Sequence, residues 1–175
     1  MRGLLFLFIL FCLGACNPAP KQKQVNTLTY FDLKGYIAKE AARLNQSNTE
    51  IDKSVIVNNS SEQKEVKIAD WSKELSVFSD ADINKSAWQG LFKATINKES
   101  KTYISDQEKV PVKSLRIQYR NGKLYGIEIL IKTENLLYTS NDTLTYFPDS
   151  LYQVKKVQHI KMLDKKNYQV TGKFN

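Results

Sequence analysis

Side chains able to act as nucleophiles or metal ligands are scarce in this 175-residue sequence. His159 is the one histidine, and Cys12 and Cys16 are the two cysteines, both near the start of the chain. A single histidine excludes multi-histidine metal centres, so no metal site is expected. His159 lies in Val157-Gln158-His159-Ile160 with no cysteine nearby and no Gly-x-Ser-x-Gly serine to activate. It reads as a strand residue facing solvent or a sheet edge. Ser61-Glu62-Gln63-Lys64 has Ser-x-x-Lys spacing, but Ser140-Asn141-Asp142 and Val170-Thr171-Gly172 do not supply the partner strings that chemistry needs. Asp80-Ala81-Asp82-Ile83-Asn84 opens like a calcium loop, yet Lys85 and Leu91 stand where the loop requires glycine and glutamate, so a helix-capping turn is expected. The carboxylate pairs Glu62/Glu65 and Asp106/Glu108 sit in polar stretches that offer no burial to shift a pKa. Beyond residue 16 the glycines are Gly35, Gly90, Gly122, Gly126 and Gly172, too scattered for a phosphate-cradling loop, and no nucleotide is expected. No catalytic residue is assigned; a hydrolase working through carboxylates or a serine stays as an alternative.

The thiol of Cys16 is the exception, because of what precedes it. Arg2 is followed by ten apolar residues, Leu4 to Leu13, and then by the small residues Gly14 and Ala15. A charged start, a short apolar run and small residues before a cut describe an export signal, too short for a permanent span. Leu13-Gly14-Ala15-Cys16 resembles the lipobox of bacterial lipoproteins. That resemblance implies that a diacylglycerol is attached to the Cys16 thiol, that cleavage falls just before it, and that the new amino group is acylated. It implies no other cofactor. Two or more acyl chains anchor stably where one does not, so membrane attachment through lipid is expected. Asn17 stands where an aspartate would signal inner-membrane retention, and no acidic cluster follows. The resemblance therefore implies an outer-membrane protein facing the periplasm, which makes nucleic acid an unexpected partner.

The domain reading follows: a signal peptide over 1–15, a lipid-anchored tether over 16–25, and one α+β domain over 26–175. The tether holds Pro18 and Pro20 and no large apolar side chain over Asn17 to Gln24, as an extended spacer would.

Charge is unevenly spread. The chain carries 26 basic and 18 acidic side chains, a net of +8, and loss of residues 1–15 removes only Arg2. Residues 110–132 hold Lys113, Arg116, Arg120, Lys123 and Lys132 against Glu128 alone. Residues 151–175 hold Lys155, Lys156, Lys161, Lys165, Lys166 and Lys173 against Asp164. Both segments read as sheet. Lys113, Arg116, Arg120, Lys155, Lys156 and Lys161 are therefore the candidate face for an anionic lipid, such as lipid A phosphates, or an acidic envelope protein. The bland alternative is a wet sheet face whose lysines protect its edges.

The elements that must position these residues are legible in outline. Tyr30, Leu33, Ile37, Ala41 and Leu44 recur at helical spacing, which predicts a helix from near Thr29 with Asp32 in its first turn and Arg43 in its last. Ile51 to Val57 and Glu65 to Ile68 read as strands around an Asn58–Ser61 turn. Helical patches follow over Asp70 to Phe78 and Asp82 to Trp88, with Asp82 as an N-cap. From Leu91 the period becomes two. Leu115, Ile117 and Tyr119 alternate with polar residues, and Asn121-Gly122 sits between two alternating runs, a strong hairpin signal. Strands are also expected at 136–140, 143–147, 152–162 and 168–174. The expected fold is an N-terminal helix packed on a curved antiparallel meander of about six to eight strands, with Trp71 and Trp88 at its edges. In outline this resembles the periplasmic lipoprotein carriers, which implies an apolar ligand under a helical lid. The functional expectation is a membrane-anchored, non-enzymatic binding or scaffold module for an apolar or anionic envelope ligand. The alternative is a structural lipoprotein of an outer-membrane complex.

Overall fold

The period-two half of the chain becomes a single antiparallel sheet. The computed structural model describes residues 28–47 and 49–175, so the expected signal segment 1–15, Cys16 and the tether lie outside the described residues. Along the chain run α1 (Leu33–Ser47), β1 (Glu50–Val57), β2 (Ser60–Lys67), α2 (Trp71–Glu74), α3 (Ser76–Asp80), a 3₁₀ turn at Ser86–Trp88, β3 (Lys93–Ile96) and β4 (Ser100–Ile104). Then follow β5 (Val112–Arg120), β6 (Lys123–Glu134), β7 (Tyr138–Phe147), β8 (Leu151–Ile160) and β9 (Lys166–Phe174). The sheet order is β2-β1-β9-β8-β7-β6-β5-β4-β3. From β3 to β9 each strand pairs with its chain neighbour; β1 then pairs with β9, and β2 closes that edge.

Nine strands exceed the six to eight expected. The additions are β3 and β4, short strands whose connection has no glycine; Asn97 Oδ1 forms it by accepting the backbone N–H groups of Glu99 and Ser100. In the other direction, 136–140 and 143–147 are one strand, because Asn141 and Asp142 pair with β6 on one side and β8 on the other. The Asn121-Gly122 hairpin stands as read, with both residues at positive φ, 51° and 74°.

Three helices, not one, share the buried cluster with the sheet. Leu33, Ile37, Ala41 and Leu44 of α1 are buried with Leu75, Phe78 and Ile83 and with Leu115, Ile117, Ile127, Ile129 and Leu144 of the strands. A large apolar side chain so buried contributes ~1.5–3 kcal/mol. The first helix starts at Leu33, four residues later than expected, because the Asp32 carboxylate accepts the Gly35 N–H at 2.8 Å and caps it. Gly35 is needed there, since a Cβ would lie 2.1 Å from Asp32 Oδ2.

The patch at 70–78 is split into α2 and α3, with Asp70 capping α2. The helix expected over 82–88 is only the 3₁₀ turn, and its expected cap, Asp82, instead accepts from Asn84 Nδ2. Asn84 also binds the Tyr30 N–H and the Phe31 carbonyl, fastening the entry to α1. Trp71, expected at an edge, is 1% exposed and packs on Tyr152 and Phe174.

Two polar latches join helix to sheet. Tyr146 of β7 donates to Glu40 of α1 at 2.7 Å. Tyr152 of β8 donates to Glu74 of α2, which Lys53 of β1 also meets at 2.6 Å. Burial raises both tyrosine pKa values, and the facing carboxylates raise them further. Burial alone would raise Glu40 as well, but hydrogen bonds from Arg43 and Tyr146 outweigh it and hold its pKa below the usual range.

Candidate anion-binding face

Successive side chains of a strand point to opposite faces of its sheet. With the core on one face, the alternate residues of the strands form a second face that carries no helix among the described residues. The register aligns a row of polar side chains across it. Arg116 of β5 lies opposite Thr102 of β4, itself opposite Thr95 of β3. On its other side Arg116 faces Glu128, and Glu128 faces Thr145. The row continues through Gln153, Thr171 and Ser54 to Gln63 at the far edge. No apolar residue interrupts it. Thr171 is buried, and its hydroxyl is satisfied by Gln153 Nε2 at 2.9 Å and Gln169 Nε2 at 3.3 Å.

Two grooves lie on this face. The larger, about 620 Å³, is lined by Asn97, Glu99, Ser100, Thr102, Arg116, Gln118, Tyr119, Arg120, Asn121 and Tyr125. It holds two guanidinium groups against one carboxylate, surrounded by amide and hydroxyl groups. Arg120 is held by stacking, its guanidinium carbon 3.9 Å from the centre of the Tyr125 ring. The Tyr125 ring meets Phe147 edge-on at 5.4 Å, and Phe147 in turn lies over Gly126, where a Cβ would come within 2.5 Å of it. Arg120 therefore rests on an aromatic stack. The smaller groove, about 240 Å³, lies across β1, β2, β8 and β9 and is lined by Asp52, Ser54, Gln63, Gln153, Gln169, Thr171 and Lys173. Each guanidinium, with its flanking donors, can grip phosphate or carboxylate oxygens bidentately.

The expected basic residues do not form one surface. Arg116, Arg120 and Lys155 share the helix-free face. Lys156, next along β8, must point the other way, and it pairs with Asp142 at 3.1 Å. Lys113 sits where the β5–β6 register shifts and donates to the Gln107 carbonyl at 2.8 Å. It borders a third groove, about 530 Å³, with Asp106, Glu108, Lys132 and Glu134. Lys161 follows the end of β8 in an exposed turn.

Of the carboxylate pairs, Glu62 and Glu65 stand three apart on β2 and so point to opposite faces. Asp106 and Glu108 do share a groove, but a hydrogen bond from Lys93 holds the Asp106 pKa below its ordinary value, which suits a fixed charge and not a general acid. His159 is exposed on β8, as expected. Ser61 and Lys64 are exposed on the edge strand β2.

The sequence reading missed Asn97, Gln118, Asn121 and Tyr125 as groove residues, and the polar row as a unit. Each strand showed its own alternation, but only the register shows that the outward residues align. Comparison with protein-family models, with curated proteins and with solved structures finds no match for this chain.

Proposed function

We propose that the chain is a lipid-anchored envelope lipoprotein, held at the outer membrane through Cys16 and facing the periplasm. In this reading it is a non-enzymatic binding module whose helix-free sheet face takes an anionic ligand. The observation that carries the binding reading is the groove that sets Arg116 and Arg120 among Asn97, Gln118 and Asn121, with the polar row leading away from it. A ligand with several anionic groups suits this layout, since the row extends the site beyond the groove. The apolar cluster under the helices is filled by side chains of the chain itself, which favours a ligand on the open face over an acyl chain held inside. The finer fold reading, α1 packed on a sheet that curves beneath it, agrees with the Glu40–Tyr146 bond.

Two experiments separate anchor from ligand. Labelled palmitate should enter the wild-type chain and not the Cys16→Ser variant; equal labelling, or none in either, refutes the anchor. Long-chain polyphosphate, titrated calorimetrically, should bind the wild type and bind Arg116→Gln/Arg120→Gln about tenfold or more weakly. Equal affinity would remove the groove from the function.

A further inference from the structure

Four strand connections of the sheet fall at one end of it: β1–β2, β4–β5, β6–β7 and β8–β9. The last two expose aliphatic side chains well beyond what surface scatter explains. Leu136 is 93% exposed and Leu137 71% at the β6–β7 tip; Met162 is 95% exposed and Leu163 56% at the β8–β9 tip. The tips are joined, since the Lys161 N–H donates to the Leu137 carbonyl at 2.8 Å. Both are built turns: Asn135 Oδ1 accepts the N–H groups of Leu137 and Tyr138, and the Leu163 N–H closes on the Ile160 carbonyl. Met162 has φ of 66°, a conformation that favours glycine or asparagine, yet the position carries a long apolar side chain turned to solvent. Lys161, Lys165 and Lys166, all exposed, flank Met162 and Leu163 along the chain, against Asp164 alone in the same connection, while Glu134 before the other tip is paired with Lys132.

We propose that the paired tips are a membrane-docking device that inserts Leu136, Leu137, Met162 and Leu163 into the interface of an anionic bilayer. The chemistry separates a bilayer from a protein partner. Protein interfaces take their energy from tryptophan, tyrosine and arginine seated in pockets. Here the groups are aliphatic, stand on exposed turns and have exposed lysines beside them in the β8–β9 connection. That combination matches apolar insertion beneath a layer of anionic headgroups. The Arg116–Arg120 groove is elsewhere, on the face of the sheet toward its opposite end, so one copy can hold a bilayer at the tips and a soluble ligand on its face. The inference does not rest on Cys16.

The test uses residues 28–175, which contain the nine strands and the buried cluster of the described residues, so neither leader nor acylated thiol takes part. In vesicle flotation this chain should bind phosphatidylcholine vesicles containing phosphatidylglycerol, and bind vesicles of phosphatidylcholine alone more weakly. The arginine face would also attract anionic vesicles, so the decisive comparison is Leu136→Asp/Leu137→Asp/Met162→Asp/Leu163→Asp, which should lower partitioning about tenfold or more. Ile96→Asp/Ile104→Asp, exposed on β3 and β4 instead, should leave it unchanged. No vesicle binding, or binding that the four tip substitutions leave intact, overturns the proposal. In cells, p-benzoylphenylalanine at position 137 or 162 of the full-length chain should yield phospholipid adducts. A protein adduct there, a second copy included, would assign the tips to a protein and overturn it too.

Discussion

The two faces of the sheet use the same backbone and alternate residues of the same strands, and they have opposite physics. On β5, Leu115 and Ile117 are buried in the core cluster while Arg116 between them is exposed. On β8, Tyr152 is buried and latched to Glu74, while its neighbour Gln153 binds Thr171 on the open side. The covered face specifies the fold through close packing. The open face bonds polar groups to one another, and its guanidinium groups make no ion pair among the described residues. Substitutions should therefore cost stability on one face and binding on the other.

The largest expected effect tests that division directly. Leu115→Ala removes a fully buried side chain and should destabilise by ~2–5 kcal/mol in urea unfolding. Leu130→Ala, on the open face and 41% exposed, should change stability by no more than about 0.5 kcal/mol. Comparable losses at both positions would mean that the open face is packed against something in the folded state.

The glycines sharpen the contrast. A Cβ on Gly172 would lie 2.2 Å from a carbon of the Tyr152 ring, which is buried and latched; one on Gly126 would lie 2.5 Å from the Phe147 ring, which has an open side to move toward. Gly172→Ala should cost ~1–3 kcal/mol, and Gly126→Ala should cost less. The reverse order would show that the Tyr125–Phe147 stack is the stiffer of the two.

A smaller effect concerns the latch at Glu40. Its folded pKa lies below that of the unfolded chain. The carboxylate therefore contributes stability above the unfolded value of ~4.3, and that contribution is lost as pH falls through the lowered folded value. Glu40→Gln should cost about 1 kcal/mol at neutral pH. The difference from wild type should vanish in acid. A gap independent of pH would mean that the Gln side chain disturbs packing and that the charge contributes little.

Much of the covered face was legible in the sequence because burial imposes a period: Leu33, Ile37, Ala41 and Leu44 mark the inner side of α1, and Asn121-Gly122 requires the backbone its hairpin adopts. Short or polar elements were not. Of β2 only Glu65 to Lys67 read as strand; Ser60 and Ser61, expected in the turn, and Glu62 to Lys64 are strand because β1 offers them backbone partners. β3 and β4 are bounded by an Asn97 turn that no glycine announces. The helix expected at 82–88 failed because Asn84 and Asp82 are occupied in fastening Tyr30 and Phe31, a contact more than fifty residues apart in sequence. The candidate site was half visible. Arg116 and Arg120 stood out by charge, but Lys155 and Lys156 were read together although adjacent strand residues must part. The residues between the arginines and Lys173 emerge only once register is fixed.

In the proposed function the helix-free face grips anions through Arg116 and Arg120, and with four arginines in the whole sequence each can be followed separately. Phenylglyoxal modifies guanidinium groups, and mass spectrometry reads each site separately. Arg43, expected in the last turn of α1 but placed one turn before it and held by Glu40 and Asp149, is the internal control. With polyphosphate present, modification of Arg116 and Arg120 should slow about tenfold while that of Arg43 is unchanged. Equal rates at Arg116 and Arg120 with and without polyphosphate, or uniform slowing at all sites, would contradict it.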